Sequence, residues 1–121
     1  MRDFRKFNIW NEGMDIVVST YEFAERLPYE EKYGLKSQMC RSAVSIPSNI
    51  AEGCSRSGEL DFKRFLEISL GSSFELETQY LICRKIGFID DEILNIKLAR
   101  FRNFQRQTNN FISKIKDAAK A

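Results

Sequence analysis

QMCRSAVSIPSNIAEG, residues 38–53, places Met39, Ala43, Ile46 and Ile50 three and four positions apart around a single proline. That period belongs to a helix with one apolar face; an alternating strand would repeat every second residue. Pro47 lies inside the pattern, where its ring removes the bond to the carbonyl of Ala43 at a cost of roughly 3 kcal/mol. The helix is therefore expected to kink at Pro47 and to be held by its neighbours. Its other flank is polar, with Gln38, Arg41, Ser45, Ser48, Asn49 and Glu52. Serine, asparagine and glutamate there can repair backbone groups that the proline frees.

Working outward, this helix is expected from Leu35 to Glu52, with Gly53 as its stop and a turn over 54–58. Upstream, a helix from Asn8 to Arg26 ends before Pro28, and its main stripe reads Trp10, Met14, Val17, Val18, Tyr21 and Ala24. Downstream, Glu59 to Lys85 carries Phe62, Phe65, Leu66, Ser69, Leu70, Ser73, Leu76 and Tyr80 on one face, and Gly87 closes it. Asp90 is then an N-cap with Ile89 and Leu94 as a hydrophobic staple. It opens a last helix whose face runs from Leu94 through Leu98, Phe101, Phe104, Thr108, Phe111 and Ile112 to Ile115.

Four amphipathic helices joined by short turns pack most simply as an all-α, antiparallel up-down-up-down bundle, one domain over 1–121. A helical hairpin completed by exchange with a partner chain is the other arrangement open to this pattern. Hydrophobic residues at 43% and charged residues at 30% are globular composition. No apolar run approaches the roughly 18 residues of a membrane span, so a cytoplasmic protein with no membrane partner is expected.

Apolar residues outnumber what one face of each helix can bury. The first helix has a second stripe, Ile9, Ile16 and Phe23, and the third carries Ile68, Ile82 and Ile86 on one flank with Phe74 and Leu81 on the other. A helix apolar nearly all round is buried nearly all round. Ile9, Ile16, Phe23, Ile68, Phe74, Leu81 and Ile82 are thus candidates for a contact between subunits of a homo-oligomer.

Histidine is absent, which removes the commonest general base and metal ligand together. The pairs Glu30/Glu31, Glu75/Glu77 and Asp90/Asp91 are too close in sequence to converge as metal-binding carboxylates do in bundles. Cys40, Cys54 and Cys83 fit neither a disulfide framework nor a zinc site. No enzyme, cofactor or metal is therefore expected. Net charge is only +2, yet residues 93–121 hold seven basic side chains and one acidic. Arg102, Arg106, Lys116 and Lys120 share one helix flank with Asn109 and Ser113, a stripe able to follow a phosphate backbone or simply to face water. Arg41, Ser45, Asn49, Glu52 and Arg56 form a second candidate, either a groove lining or the packing surface of the bend.

The run Gln38–Gly53, and above all SIPSNIAEG over 45–53, closely resembles the signature of the 23S rRNA intervening-sequence protein family. Trp10, EKYGL over 31–35, RFLEISLGSSFELETQ over 64–79 and Ile86-Gly87 agree as well. The resemblance covers most of the chain and is weakest in the last helix. It implies a bacterial four-helix bundle that assembles into a ring, commonly a homopentamer, with most members of unknown function. The accessory proteins of diversity-generating retroelements are a related group that binds nucleic acid and a reverse transcriptase. By that analogy the implied partners are RNA or DNA, and a protein such as a reverse transcriptase.

Overall fold

The computed structural model describes residues 2–120, in which four α-helices account for nearly all of the chain and no strand occurs. They are α1 (Asn8–Ala24), α2 (Leu35–Cys54), α3 (Glu59–Ile86) and α4 (Asp91–Lys120), with short 3₁₀ turns at Phe4–Lys6 and Tyr29–Glu31. Each helix touches its two neighbours in the cycle α1–α2–α3–α4, and neither diagonal pair brings its backbones close. This is the antiparallel four-helix bundle expected from the periodicity. The α2–α3 seam is the most extensive and the α1–α4 seam the thinnest.

The ends are set locally. Glu31 accepts the amide of Leu35 at 3.2 Å and so satisfies one free donor at the start of α2. Gly87, at φ 88°, ends α3 in the left-handed region, and the amide of Phe88 reaches back to the carbonyl of Cys83 at 2.8 Å. Asp90 caps α4 by accepting the amide of Ile93 at 2.9 Å, while Ile89 and Leu94 are buried together beneath it.

The faces expected for α2, α3 and α4 are the buried ones: Met39, Ala43, Ile46 and Ile50 meet Phe62, Leu66, Leu76 and Tyr80, and Leu94, Phe101, Phe104 and Ile115 close the core. Phe7, Phe62 and Phe111 cluster at one end, with Phe111 edge-on to both others and 5.6 Å from Phe62 between centroids. Tyr80 stacks between Phe23 and Phe101 at the other and donates its hydroxyl to Thr20 across the core at 3.1 Å. Burial drives the Tyr80 phenol up to about 12 and the Cys83 thiol up to about 11.

For α1 the expectation holds only in part: Ala24 is fully buried and Trp10 and Val17 pack against the core, but the rest of the expected stripe faces outward. Ile9, Ile16 and Phe23 are 3%, 2% and 5% exposed and form the core face, while Met14, Val18 and Tyr21 lie outside at 39–57%. The inward row is Ile9, Gly13, Ile16, Thr20 and Phe23, continued by Leu27 beyond the helix end, at spacings of four and three. Ile9, Ile16 and Phe23 are therefore consumed by the chain's own core and are not available to a second subunit. The helix also stops at Ala24, two residues before the expected end.

Gly13 explains how α1 and α2 fit. A Cβ there would stand 3.2 Å from Ile46 and 3.4 Å from Pro47, so the bare backbone of α1 lies against the proline turn of α2. The helix α2 continues through Pro47 to Cys54, and Gly53 is not its stop. Gly53 is buried in the last turn, where a Cβ would come within 2.8 Å of the Phe65 Cβ and 3.1 Å of the Phe62 ring. Glycine serves close approach to α3 at this position. Gly53→Ala is expected to lower the unfolding free energy by about 1–3 kcal/mol in urea titrations, with the helical circular dichroism of the native state retained. An unchanged midpoint would mean that the two helices separate freely there.

Candidate functional site

The outer surface of α2 is bounded by two grooves. One, of about 430 Å³, runs between α2 and α3 and is lined by Gln38, Arg41, Ser42, Ser45, Glu75 and Gln79. The other, of about 650 Å³, lies along α2, whose Cys40, Arg41, Val44, Ser45 and Asn49 line it, and α1 contributes Tyr21 at its edge. Arg41 and Ser45 reach both.

Hydroxyls hold the α2–α3 seam together. Ser42 donates to a Glu75 carboxylate oxygen at 2.8 Å, Ser45 and Ser72 share a 2.8 Å hydrogen bond, and Ser69 donates to the carbonyl of Ile46 at 2.7 Å. Asn49 turns back on its own helix and donates to both the carbonyl and the hydroxyl oxygen of Ser45 at 2.8 Å. These bonds surround Pro47, so much of the SIPSNIAEG run is spent on packing the proline turn against α3. Glu52 and Arg56 pair at 3.2 Å, and the Arg56 guanidinium lies over the Phe65 ring at 4.8 Å. The candidate set thus divides: Arg41 and Ser45 line grooves, Asn49 mainly braces the helix, and Glu52 with Arg56 clamps the turn into α3.

The basic flank of α4 lies apart from these grooves. Gln105 donates to Glu77 at 2.9 Å and approaches Ser73 at 3.4 Å, which fixes the side of α4 that adjoins α3. Arg102, Arg106, Asn109 and Lys116 follow that same side on the helical wheel, and Arg102, Arg106, Lys116 and Lys120 are all exposed. Arg106 donates to Asn103 at 2.7 Å, and among the described residues none of the four cations has a carboxylate within ion-pair distance.

Two other α4 cations do different work. Lys97 is half-buried in the α1–α4 seam, bonded to the hydroxyl and carbonyl of Ser19, and desolvation first, then nearby Arg100, holds its pKa below the usual lysine value. Arg100 donates to the carbonyl of Asp15 at 3.4 Å. The carboxylate pairs disperse: Glu75 faces Ser42 and Glu77 faces Gln105, while Asp90 caps α4 and Asp91 pairs with Arg84. That pairing holds Asp91 below the usual carboxylate range.

Sequence reasoning passed over Glu75 and Gln79 as site residues. The available signal was that Glu75 interrupts an otherwise apolar seven-residue repeat, Ile68–Glu75–Ile82. Ile68, Phe74, Leu81 and Ile82 are exposed at 40–49%, as expected for α3, and Ile86 joins them.

The fold and these surfaces define a helical bundle with grooves and a charged stripe. The chain belongs to the 23S rRNA-intervening sequence protein family, whose model matches residues 5–116. Its fold is similar to that of a protein of unknown function from the S23 ribosomal protein family of Bacteroides thetaiotaomicron, with a TM-score of 0.80 and 19% identity over 86% of this chain and 97% of that one. A search of the curated proteins finds no match. Neither similarity indicates a catalytic family, and no helix among the described residues is long and apolar enough to cross a membrane.

Cysteine chemistry follows from burial. Cys54 and Cys83 are buried, whereas Cys40 is half-buried beside the larger groove along α2. A thiol reagent at pH 8 is expected to modify Cys40 first, with the other two reacting only on unfolding, as peptide mapping of labelled protein would reveal. Equal rates at all three would contradict the packing described.

Proposed function

We propose that this protein acts by binding: it is a non-catalytic homo-oligomer, a ring and by family likeness a pentamer, that holds RNA or DNA with little sequence preference through the α4 cations. The supporting observation is the row Arg102, Arg106, Lys116 and Lys120, exposed on one flank and free of carboxylate partners among the described residues. A stripe neutralised by its own chain would have little field left for phosphates. Repetition around an oligomer would multiply weak contacts by avidity.

Oligomerisation is supported by apolar surface left outside the core. It lies on Met14, Val18 and Tyr21 of α1, Val44 of α2, and Ile68, Phe74, Leu81, Ile82 and Ile86 of α3. Apolar side chains left half exposed along three helices suit a contact with a second copy. The rival reading, a protein-only scaffold, rests on the same apolar surface and assigns no role to the cations.

Light scattering coupled to gel filtration should give a mass several times the 14.1 kDa of one chain, and Ile82→Glu should shift it toward that value with helicity intact. A monomer at micromolar concentration defeats the oligomer. Fluorescence anisotropy with single-stranded RNA should show salt-dependent binding, and a variant with Arg102 and Arg106 both replaced by alanine should flatten the log–log salt slope by about 1.4 per chain engaged. An oligomer that gives no shift at low salt leaves the scaffold standing.

A further inference from the structure

The α4 cations have a neighbour that phosphate contact alone leaves unused. Nine of the ten phenylalanines are buried or half-buried, whereas Phe74 is 49% exposed. On the helical wheel Phe74 shares the α4 side of α3 with Glu77 and with Leu81, which is 42% exposed. The packing beneath sets the register: Gln105 bonds to Ser73 and Glu77, and the Tyr80 and Phe101 rings lie 5.5 Å apart between centroids. Arg106, next to Gln105, is thus level with Phe74, and Arg102, next to Phe101, is level with Leu81. The two arginines are exposed about 6 Å apart along the axis of α4, on the flank that adjoins α3.

Whatever covers this ring must also meet two cations. Among the described residues Glu77 accepts from Gln105 and makes no ion pair with either arginine, and Arg106 spends one donor on Asn103. A second copy laid over the flank would take both guanidinium groups out of water together with the ring, without a carboxylate from their own chain to offset the cost. An unpaired nucleic-acid strand carries a π-face and a phosphate in every nucleotide, which matches an apolar row beside a cationic one. A duplex offers the phosphates but keeps its bases stacked on each other. We propose that the α3–α4 face is a single-strand site, in which a base stacks on Phe74, Leu81 extends the apolar surface, and Arg102 and Arg106 hold the phosphates. This rests on the reading that the α4 cations bind nucleic acid, and adds the form of the strand and the residue that selects it. The stripes flanking α2 are left to subunit contact.

Three probes of equal length are compared by fluorescence anisotropy on the full chain: a single-stranded RNA, the same strand annealed to its complement, and a strand whose bases are replaced by abasic sites. The single strand is expected to bind at least about fivefold tighter than the abasic strand, the effect of one stacked base. Phe74→Leu keeps an apolar helix former at the position, so its oligomer mass, unfolding midpoint and duplex affinity should equal the parent's. It should nonetheless bind the single strand at least about fivefold more weakly, with the log–log salt slope unchanged because no phosphate contact is lost. Phe74→Tyr, which restores an aromatic face, should recover the parent's affinity. A purely electrostatic stripe would respond to neither substitution. The proposal is overturned if the base-bearing and abasic strands bind equally, or if Phe74→Leu binds the single strand as the parent does or loses as much on the duplex. A smaller oligomer mass in that variant would overturn it too, by assigning the ring to a neighbouring subunit. When any of these occurs while replacement of Arg102 and Arg106 still flattens the salt slope, the proposal fails alone; no binding of any probe at low salt removes the underlying reading with it.

Discussion

Everything in this bundle depends on how closely α2 can be approached from both sides. Pro47 deprives its helix of one backbone bond, and the turn it disrupts is pressed against Gly13 of α1, where no side chain stands in the way. On the other side Gly53 lets the end of α2 settle on Phe62 and Phe65 of α3. Close backbone approach increases dispersion contact, and it is available only where the facing residues are small. The helix with the weakest internal ladder is thus the one most enclosed by neighbours, in keeping with the general rule that tertiary packing supplies most of a helix's stability.

Close approach also determines what kind of bond can hold the seams. Between α2 and α3 the bridging side chains are short: Ser42, Ser45, Ser69 and Ser72, each making a bond of 2.8 Å or less. At the thinner α1–α4 seam long side chains span the gap, with Lys97 reaching Ser19 and Arg100 reaching Asp15. Short hydroxyls lose little rotamer freedom when they are fixed, whereas lysine and arginine lose much. Three buried polar atoms among the described residues make no hydrogen bond, Arg56 Nε, the Gln79 carbonyl oxygen and the Thr108 hydroxyl, and of these Arg56 Nε still faces the Asp61 carboxylate at 3.7 Å. Thr108 is sealed at 0% exposure among core residues, and the Gln79 oxygen is likewise closed to solvent although the residue borders the α2–α3 groove.

The fold was legible because α2 and α4 each offer a single arc of apolar and small residues, and because the arc of α3 from Phe62 to Tyr80 is the broadest of its apolar stripes. Leu94 through Ile115 can be turned inward in only one way, and the cap at Asp90 fixes where that arc begins. In α1 two arcs compete, and bulk misleads: Trp10, Met14, Val17, Val18 and Tyr21 carry more apolar surface than Ile9, Ile16 and Phe23. What decides the matter is the pair between the latter, Gly13 and Thr20, which complete a row at spacings of four and three and meet Pro47 and Tyr80 respectively. Neither residue counts as hydrophobic in a periodicity argument, so the row is invisible until its partners are known. Gly53 was misread for a related reason, since a glycine needed for left-handed backbone and one needed for contact look alike in sequence. Arg41 and Ser45 could be named from the motif, but Glu75 and Gln79 belong to the groove only because the register of α3 against α2 puts them there.

The partial inversion of α1 relocates the surplus apolar surface without removing it. On α1 the uncovered Tyr21 shares a groove with Val44 of α2, and the uncovered isoleucines on α3 lie on the side from which Glu75 meets Ser42. Both stripes flank α2, and they are unlike: methionine, valine and tyrosine on one edge, isoleucines framing a carboxylate on the other. A self-complementary contact uses one patch twice, whereas two unlike patches suit a head-to-tail contact, and repetition of such a contact closes into a ring when its rotation permits. The α4 cations follow the opposite side of α3, next to Gln105 and Glu77. Phe74 and Leu81 share that side of α3 with Glu77 on the helical wheel, so under the proposed reading only the two stripes that flank α2 are separate from the phosphate contact. A charge change on α4 can then alter binding without altering assembly, and a charge placed on the isoleucine stripe can alter assembly while the stripe of cations on each chain is preserved.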